Sequence, residues 1–369
     1  MYPKIIQRIL FGILGLLAIS VIILGGYFIY LQSHYYRISD HQALKIHHPQ
    51  TKKLTTKHDY TLSTYNIGFG AYSPDFTFFM DKNQMLDGKK TQGTSGKAKN
   101  KQTVLQNTHG VIDVMQQLNS DFMFFQEADV DSSRSYHVNQ VQKISQSFSN
   151  YANVFANNFH SVFLAYPLND PHGSVQSGLL TLSRYNIQSA VRRKYPVSQQ
   201  LISKFFDLDR CFMMLRLPVK NGKSLVLINS HMSAYDKGGK MRAAQLKLLN
   251  SVMKKEYQAG NYVIVGGDFN HALGKEMLTH FSGQQKIPDW VSVLTNNDLT
   301  SGIHFVQASN NQSVATCRGT DIAYTPGKTY QTVVDGFLVS DNVKATAKNI
   351  ETDYAYSDHN PVKLTFSLQ

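Results

Sequence analysis

The pattern of apolar and polar positions begins with an uninterrupted apolar run, ILFGILGLLAISVIILGGYFIYL, from Ile9 to Leu31, without a single charge. At a helical rise of about 1.5 Å per residue it crosses a hydrocarbon core of about 30 Å. The run therefore predicts one membrane anchor at residues 9–31, behind a short tail at 1–8. A cleavable signal peptide is the competing reading, but its apolar region is usually only about 7–15 residues and ends in a small-residue cleavage site, which is not found here. No cysteine follows the run to offer a lipoprotein-type attachment. Residues 32–58 are polar and basic with no period, and predict a linker. Residues 59–369 then form one large domain.

Within that domain, strand-like stretches recur at YTLSTYNIG, DFMFFQEAD, SGLLTLSRY, CFMMLRLPV, SLVLINSHM, YVIVGG, TVVDGFLVS and PVKLTFSL. Several are nearly continuous apolar runs, as expected of strands covered on both faces, whereas TLSTY and KLTFSL alternate. Two stretches carry a helical period instead: Val104, Thr108, Val111, Met115 and Leu118, then Met241, Ala244, Leu248 and Val252. Each supplies one apolar stripe suited to packing on a sheet.

Composition changes this picture little. At 42% hydrophobic residues over 369 positions the chain can build a core and is not disordered. Its net charge of +12 suggests an acidic partner, whether nucleic acid, anionic lipid or the membrane and wall surface. Cys211 and Cys317 are too few for a disulfide framework and lack zinc-site spacing, which leaves one bridge or two unpaired core thiols. Lys4 and Arg8 before the anchor are balanced by Arg37 and Lys45 after it, so positive charge does not orient the span. An insertion at Asp81–Lys101 holds six lysines among Gly, Ser, Thr, Asn and Gln, and predicts an exposed, mobile loop. GGDFNHALG lacks the Lys-Ser/Thr ending of a phosphate-cradling loop, which disfavours a nucleotide triphosphatase.

Candidate chemistry gathers at the ends of the apolar stretches. Asn66 follows TLSTY, Glu127 follows DFMFFQ, His231 follows SLVLINS, Asp268 and Asn270 follow YVIVGG, and Asp358 and His359 precede PVKLTFSL. Singly each has a structural explanation as a turn, a solvated strand end or a core histidine. Together they suit metal-assisted attack on phosphorus. Glu127 and Asp358 are hard oxygen ligands that, with the Asn66 amide oxygen and waters, suit an octahedral Mg²⁺. Asp268 aligns or deprotonates a water, and Asn270 fixes that carboxylate or donates to phosphate. Asp335, an acid inside the apolar stretch TVVDGFLVS, needs a donor partner and is matched to His359, whose cationic form it favours. His231 remains as a second donor.

The ordered set TYNIG, FFQEAD, NSHMSAYD, VGGDFN, VDGFLVS and YSDHNPV resembles the motifs of the endonuclease/exonuclease/phosphatase superfamily, over about Tyr60 to Leu368. The resemblance implies a four-layer α/β sandwich of two packed mixed sheets flanked by helices, with the site in a cleft at one end. It implies Glu127 as principal metal ligand with Asn66 and Asp358 nearby, and His231, Asp268, Asn270, Asp335 and His359 as catalytic residues. The expected cofactor is Mg²⁺, with Mn²⁺ as a substitute, and the expected reaction is hydrolysis of a phosphodiester, nuclease-like in the first reading. A sphingomyelinase-like phospholipase or inositol-phosphate phosphatase is the alternative, and a catalytically inactive tethered module a third. A phospholipase would be marked by exposed apolar side chains at the cleft rim, for which FTFFM, Phe76–Met80, is a candidate. Relatives of this kind are often secreted, which favours a single-pass membrane protein with an extracytoplasmic domain. The expected partners are a phosphate-containing substrate, nucleic acid or phospholipid headgroup, and the membrane through the N-terminal helix. No protein partner is inferred.

Overall fold

A computed structural model of the protein describes residues 2–198, 203–205, 208–234, 240–281 and 283–369. Two seven-stranded mixed sheets face each other. The first runs, in spatial order, Gln42–Ala43, Ser189–Lys194, Cys211–Pro218, Ser224–His231, Tyr262–Asp268, Asp335–Ser340 and Ile303–Val306. The second runs Val343–Asn349, Val362–Leu368, Asp59–Asn66, Phe122–Asp129, Gly173–Ser183, Ala152–Leu164 and Ile46–His47. Leu62, Phe124, Leu227, Ile264, Phe337 and Leu364 belong to the apolar cluster between the sheets.

Side chains on a strand alternate sides, so a strand covered twice must be apolar at every position. Strand Tyr262–Asp268 shows the result: Tyr262 and Ile264 enter the inter-sheet core, while Val263 and Val265 face Leu249 and Met253 of helix α4 (Lys240–Gln258). On the far side of the second sheet, Tyr65 and Phe125 pack with Val111 and Met115 of helix α2 (Lys101–Leu118) and Ile144 of the short helix α3 (Gln140–Ser147). The four layers expected from the sequence are present. The stripe expected on α4 is displaced by about one position, because Gln245 turns inward to donate to the Pro196 carbonyl at 2.8 Å and to accept from the Ser233 N–H at 3.0 Å.

Two expectations are corrected. Residues 32–58 do not form a free linker: Gln42–Ala43 pairs with Val191 and Arg192, Ile46–His47 pairs with Asn153 and Val154, and Leu54 is fully buried. Two-residue strands at sheet edges need no periodic apolar pattern, so the sequence carries no sign of them. The lysine-rich insertion contains an ordered hairpin, Lys82–Gln84 with Lys90–Gln92, tied down by residues other than its lysines. The Asp81 carboxylate accepts from the Thr320 backbone N–H at 3.2 Å, Thr91 donates to Asp321 at 2.5 Å, and Met85 bridges to Gln285. Lys82, Lys89 and Lys90 of the hairpin are exposed. Cys211 and Cys317 are both buried and unbridged.

Helix α1 (Tyr2–Ser33) is continuous and turns its large apolar side chains outward. It is the one described helix long and apolar enough to cross a membrane.

Candidate active site

The polar strand ends from the two sheets converge. In the first sheet His231, Asp268 and Asp335 are direct cross-strand neighbours, His231 opposite Asp268 and Asp268 opposite Asp335, so three adjacent strands deliver one row of side chains. That row depends on a close approach. Gly267 has φ +137°, and a Cβ there would lie 2.0 Å from the Ser230 carbonyl oxygen on the neighbouring strand. Only glycine lets the backbone pass at that distance.

The second sheet delivers its groups through irregular backbone. Between Phe125 and Ala128 the strand register shifts, so that Gln126 and Glu127 together face a single partner position, and Glu127 sits at φ +55°. Such a bulge redirects a side chain that a regular strand would hold elsewhere. Below it Gln126 donates to Asn229 of the first sheet at 2.8 Å, a buried polar tie between the sheets. Asp358 and His359 sit in the turn before strand Val362–Leu368, where the Ser357 hydroxyl donates to the Asn66 carbonyl at 2.8 Å.

Asp268 is the hub. Its Oδ1 accepts from the Asn270 N–H at 2.8 Å, and its Oδ2 accepts from Asn66 Nδ2 at 3.0 Å and Asn270 Nδ2 at 3.3 Å. The Nε2 atoms of His231 and His359 lie 3.4 and 3.8 Å from the same oxygen. Burial raises the Asp268 carboxyl to about 6, with His359 opposing the rise and Asp335 adding to it. His359 Nδ1 meets Asp335 Oδ2 at 2.7 Å. Burial alone would lower the imidazole's pKa, but the charges of Asp335 and its other acidic neighbours outweigh it and hold His359 well above the ordinary histidine range. His231 goes the other way: burial first, then the nearby charges of Arg210, His359 and Arg134, keep it neutral. Asp268 is thus faced by two histidines pushed in opposite directions, His231 from its own sheet row and His359 from the turn of the other sheet.

Asn66 reaches this group through its nitrogen. Nδ2 also donates to Glu127 Oε1 at 3.2 Å, while Oδ1 accepts from the Gly68 N–H at 3.1 Å. In this orientation Asn66 bridges two acids through its nitrogen, while its oxygen holds the backbone of the following turn. Glu127 and Asp358 supply the hard oxygens. Burial drives the Asp358 carboxyl up to about 7, opposed by His359 and Arg318 and reinforced by the charges of Glu127 and Asp81, so a cation beside this pair offsets a real cost. Asp268, Asp335 and His359 also place one ligand atom each within 4.8 Å of one another. A metal-bound histidine must be neutral, and His359 spends its Nδ1 on Asp335. Within that trio Asp335 and His359 are hydrogen-bonded, while His359 Nε2 and Asp268 Oδ2 form an ion pair at 3.8 Å.

Glu127, His231, Asp268, Asn270, Asp358 and His359 line a cleft of 550 Å³. Arg134, Arg210 and Arg318 line it too, and the sequence pattern assigns Arg134 and Arg210 no part. Arg134 is buried in a two-bond pairing with Asp129, at 3.1 and 2.9 Å, and lies 4.0 Å from the centre of the Phe69 ring. Nothing in SSRSY signals this. Arg210 stands directly before an apolar strand, so the strand-end rule that selects His231 reaches it as well. Arg318 is buried and donates to the Ser73 carbonyl at 3.0 Å.

The model of the Endonuclease/Exonuclease/phosphatase family matches residues 63–359, most of the chain. The chain belongs to this family. All the residues of the convergent group lie inside the matched region, His359 at its boundary. Solved structures of similar fold include truncated TDP2 from Caenorhabditis elegans, 14% identical with a TM-score of 0.53, covering 85% of this chain and 99% of that one. An endonuclease/exonuclease/phosphatase from Beutenbergia cavernae is 13% identical with a TM-score of 0.56, over 85% of this chain and 72% of that one. TDP2 from D. rerio complexed with a single-strand DNA product is 15% identical with a TM-score of 0.51, over 84% and 100%. None of the curated proteins matches the sequence. At these identities the neighbours establish the fold, and enzymes of this family are typically hydrolases of phosphoester bonds.

Proposed function

We propose that the chain is a membrane-anchored, Mg²⁺-dependent phosphoesterase that hydrolyses a phosphodiester by in-line attack of water, with its domain on the extracytoplasmic side and Mn²⁺ able to replace Mg²⁺. The observation that carries this reading is the Asp268 carboxylate, gripped by three N–H donors and faced by two imidazoles, where the two sheets meet.

A carboxyl near 6 is ionised at neutral pH yet basic enough to take a proton from water. Its three donors fix the lone pairs that remain for that water. His359, kept cationic by Asp335, donates from Nε2 to a phosphoryl oxygen and opposes the charge that grows there. His231 is neutral and has no partner at Nδ1 among the described residues, so its proton belongs on Nε2, toward Asp268 and the bound phosphate. Asn270 acts by geometry, since an amide does not titrate. Glu127 and Asp358 fit a divalent ion, which when bound would polarise a non-bridging phosphoryl oxygen as a Lewis acid.

The nuclease-like reading draws on the net charge of +12, on the arginines in the cleft and on the DNA product held by D. rerio TDP2. A second reading, a phospholipid headgroup, draws on the aromatic wall of the same cleft, where Phe78, Phe79 and Met80 of FTFFM stand. Both share the phosphodiester. Full-length protein in detergent with bis(p-nitrophenyl) phosphate tests that common part. Chelation with EDTA should abolish release of p-nitrophenol, Mg²⁺ should restore it, and Glu127→Gln should lower it at least about 100-fold while raising the Mg²⁺ concentration needed for half-maximal rate. Undiminished hydrolysis in EDTA would sink the proposal.

A further inference from the structure

The anchor helix is clamped to the domain next to the cleft. The Tyr27 hydroxyl donates to the Phe163 carbonyl at 3.1 Å and accepts from the Ala165 N–H at 3.0 Å, and the Tyr30 hydroxyl accepts from the Phe163 N–H at 3.4 Å. Leu31 is buried in a cluster with Phe159, Leu164, Val175 and Phe205. Tyr27 lies four residues before Leu31, hence about 6 Å inside the end of the apolar run. Whatever depth those last turns occupy, the segment after Phe163 occupies as well. Tyrosines at the end of a membrane helix belong to the headgroup layer.

That segment is apolar where it should be polar. Phe163 is 46% exposed, Tyr166 56% and Leu168 84%. Singly, exposed apolar residues mean little, but three within six positions, continuous with the outer face of an apolar helix, form a patch of the kind that meets another phase. The patch also continues inward. Tyr166 lines the cleft and its ring lies 5.5 Å from that of Phe79, Phe79 lies 4.8 Å from Phe78, and Phe78 lies 6.1 Å from Tyr72. Tyr72 stands against Gly68, whose missing side chain would touch both Tyr72 and the Asp358 carboxylate. An unbroken apolar path thus leads from the helix to the acids and histidines.

Resting on the phosphodiester reading above, we propose that the Phe163–Leu168 rim seats the cleft on the bilayer surface and that the substrate is a membrane phospholipid, its headgroup phosphodiester at the acids and its acyl-bearing alcohol along the apolar path. Water adds to phosphorus and its proton passes to Asp268, which later releases it to solvent. One P–O ester bond breaks, and the leaving alkoxide takes a proton from solvent water. One phosphodiester and one water become an alcohol and a phosphomonoester, with no other reactant. A nucleic acid strand would instead have to enter between the rim and the bilayer.

The test uses full-length protein in vesicles of equal parts phosphatidylcholine and sphingomyelin with Mg²⁺, reading water-soluble phosphate ester, beside parallel assays on bis(p-nitrophenyl) phosphate and a single-stranded oligodeoxynucleotide. Vesicle lipid should be hydrolysed and the oligonucleotide at least 10-fold more slowly. The exposed double variant Phe163→Asp, Leu168→Asp should lose at least 10-fold on vesicles while staying within 2-fold on the soluble diester. Hydrolysis of the soluble diester with no attack on vesicles, faster cleavage of the oligonucleotide, or an equal effect of the rim variant on both substrates overturns the lipid assignment and leaves phosphodiester hydrolysis standing. Inactivity on all three overturns both. A second readout needs no turnover: Trp290 is the sole tryptophan, so Leu168→Trp in a Trp290→Phe background should be strongly quenched by brominated acyl chains. Fluorescence unchanged by brominated lipid contradicts the seating.

Discussion

The floor and the rim of the cleft are built on opposite principles. On the floor, buried charges from both sheets are tied to one another by hydrogen bonds and ion pairs centred on Asp268. At the rim, large apolar side chains stand in the open, with few partners apart from the tyrosines of the anchor helix. The floor is costly to assemble and suits chemistry that needs fixed dipoles. The rim costs the fold little and suits a surface that is completed by something else.

The largest expected difference between them is in stability. Gly267→Ala drives a Cβ into the Ser230 carbonyl at a φ that side chains rarely adopt, and should cost about 4 kcal/mol in denaturant unfolding, at the severe end for a single substitution. Leu168→Asp should change stability by no more than about 0.5 kcal/mol. Similar costs at the two positions would break the contrast.

A smaller effect separates the two regions by pH. His172, in the cleft wall between floor and rim, is buried with Nδ1 2.5 Å from the Gly96 carbonyl, and burial, aided by the charge of Arg134, lowers its pKa from 6.5 to about 4. The folded chain therefore binds this proton less readily than the unfolded one. The contribution is fully present above about pH 6.5, declines as the pH falls through the window down to about 4, and is constant below it. The stability difference between wild type and His172→Gln should shift by about 3 kcal/mol across that window, as read from urea midpoints at each pH. A pH-independent difference would mean that His172 is not held neutral.

Much of this architecture is legible in the amino-acid sequence. The eight stretches all form strands, most because residues covered on both faces have to be apolar throughout, and Val362–Leu368 by alternation with one face toward the core. The strand-end rule selects the floor because a sheet sandwich exposes its polar groups where strands stop. What stays hidden lacks that signature. Strand Ala152–Leu164 carries Asn157, Asn158, His160 and Ser161 through its middle, which breaks the apolar pattern. The hairpin Lys82–Gln84 with Lys90–Gln92 is held by single contacts such as those of Asp81, Thr91 and Met85, which a lysine-rich composition does not reveal. The orientation of the Asn66 amide depends on which neighbours reach it, and no spacing along the chain encodes that. The clamp between Tyr27 and Phe163 joins residues 136 positions apart.

The central claim is that groups from both sheets act as one phosphodiester-cleaving site, and the most direct measurement is the steady-state rate on bis(p-nitrophenyl) phosphate with saturating Mg²⁺ for wild type, Asp268→Asn and His359→Ala. The account predicts that each substitution lowers kcat by about 10²–10⁴-fold and that the double variant is little worse than the more damaged single one, since the two groups act on the same step. Either variant retaining the wild-type rate, at unchanged folding, would contradict it.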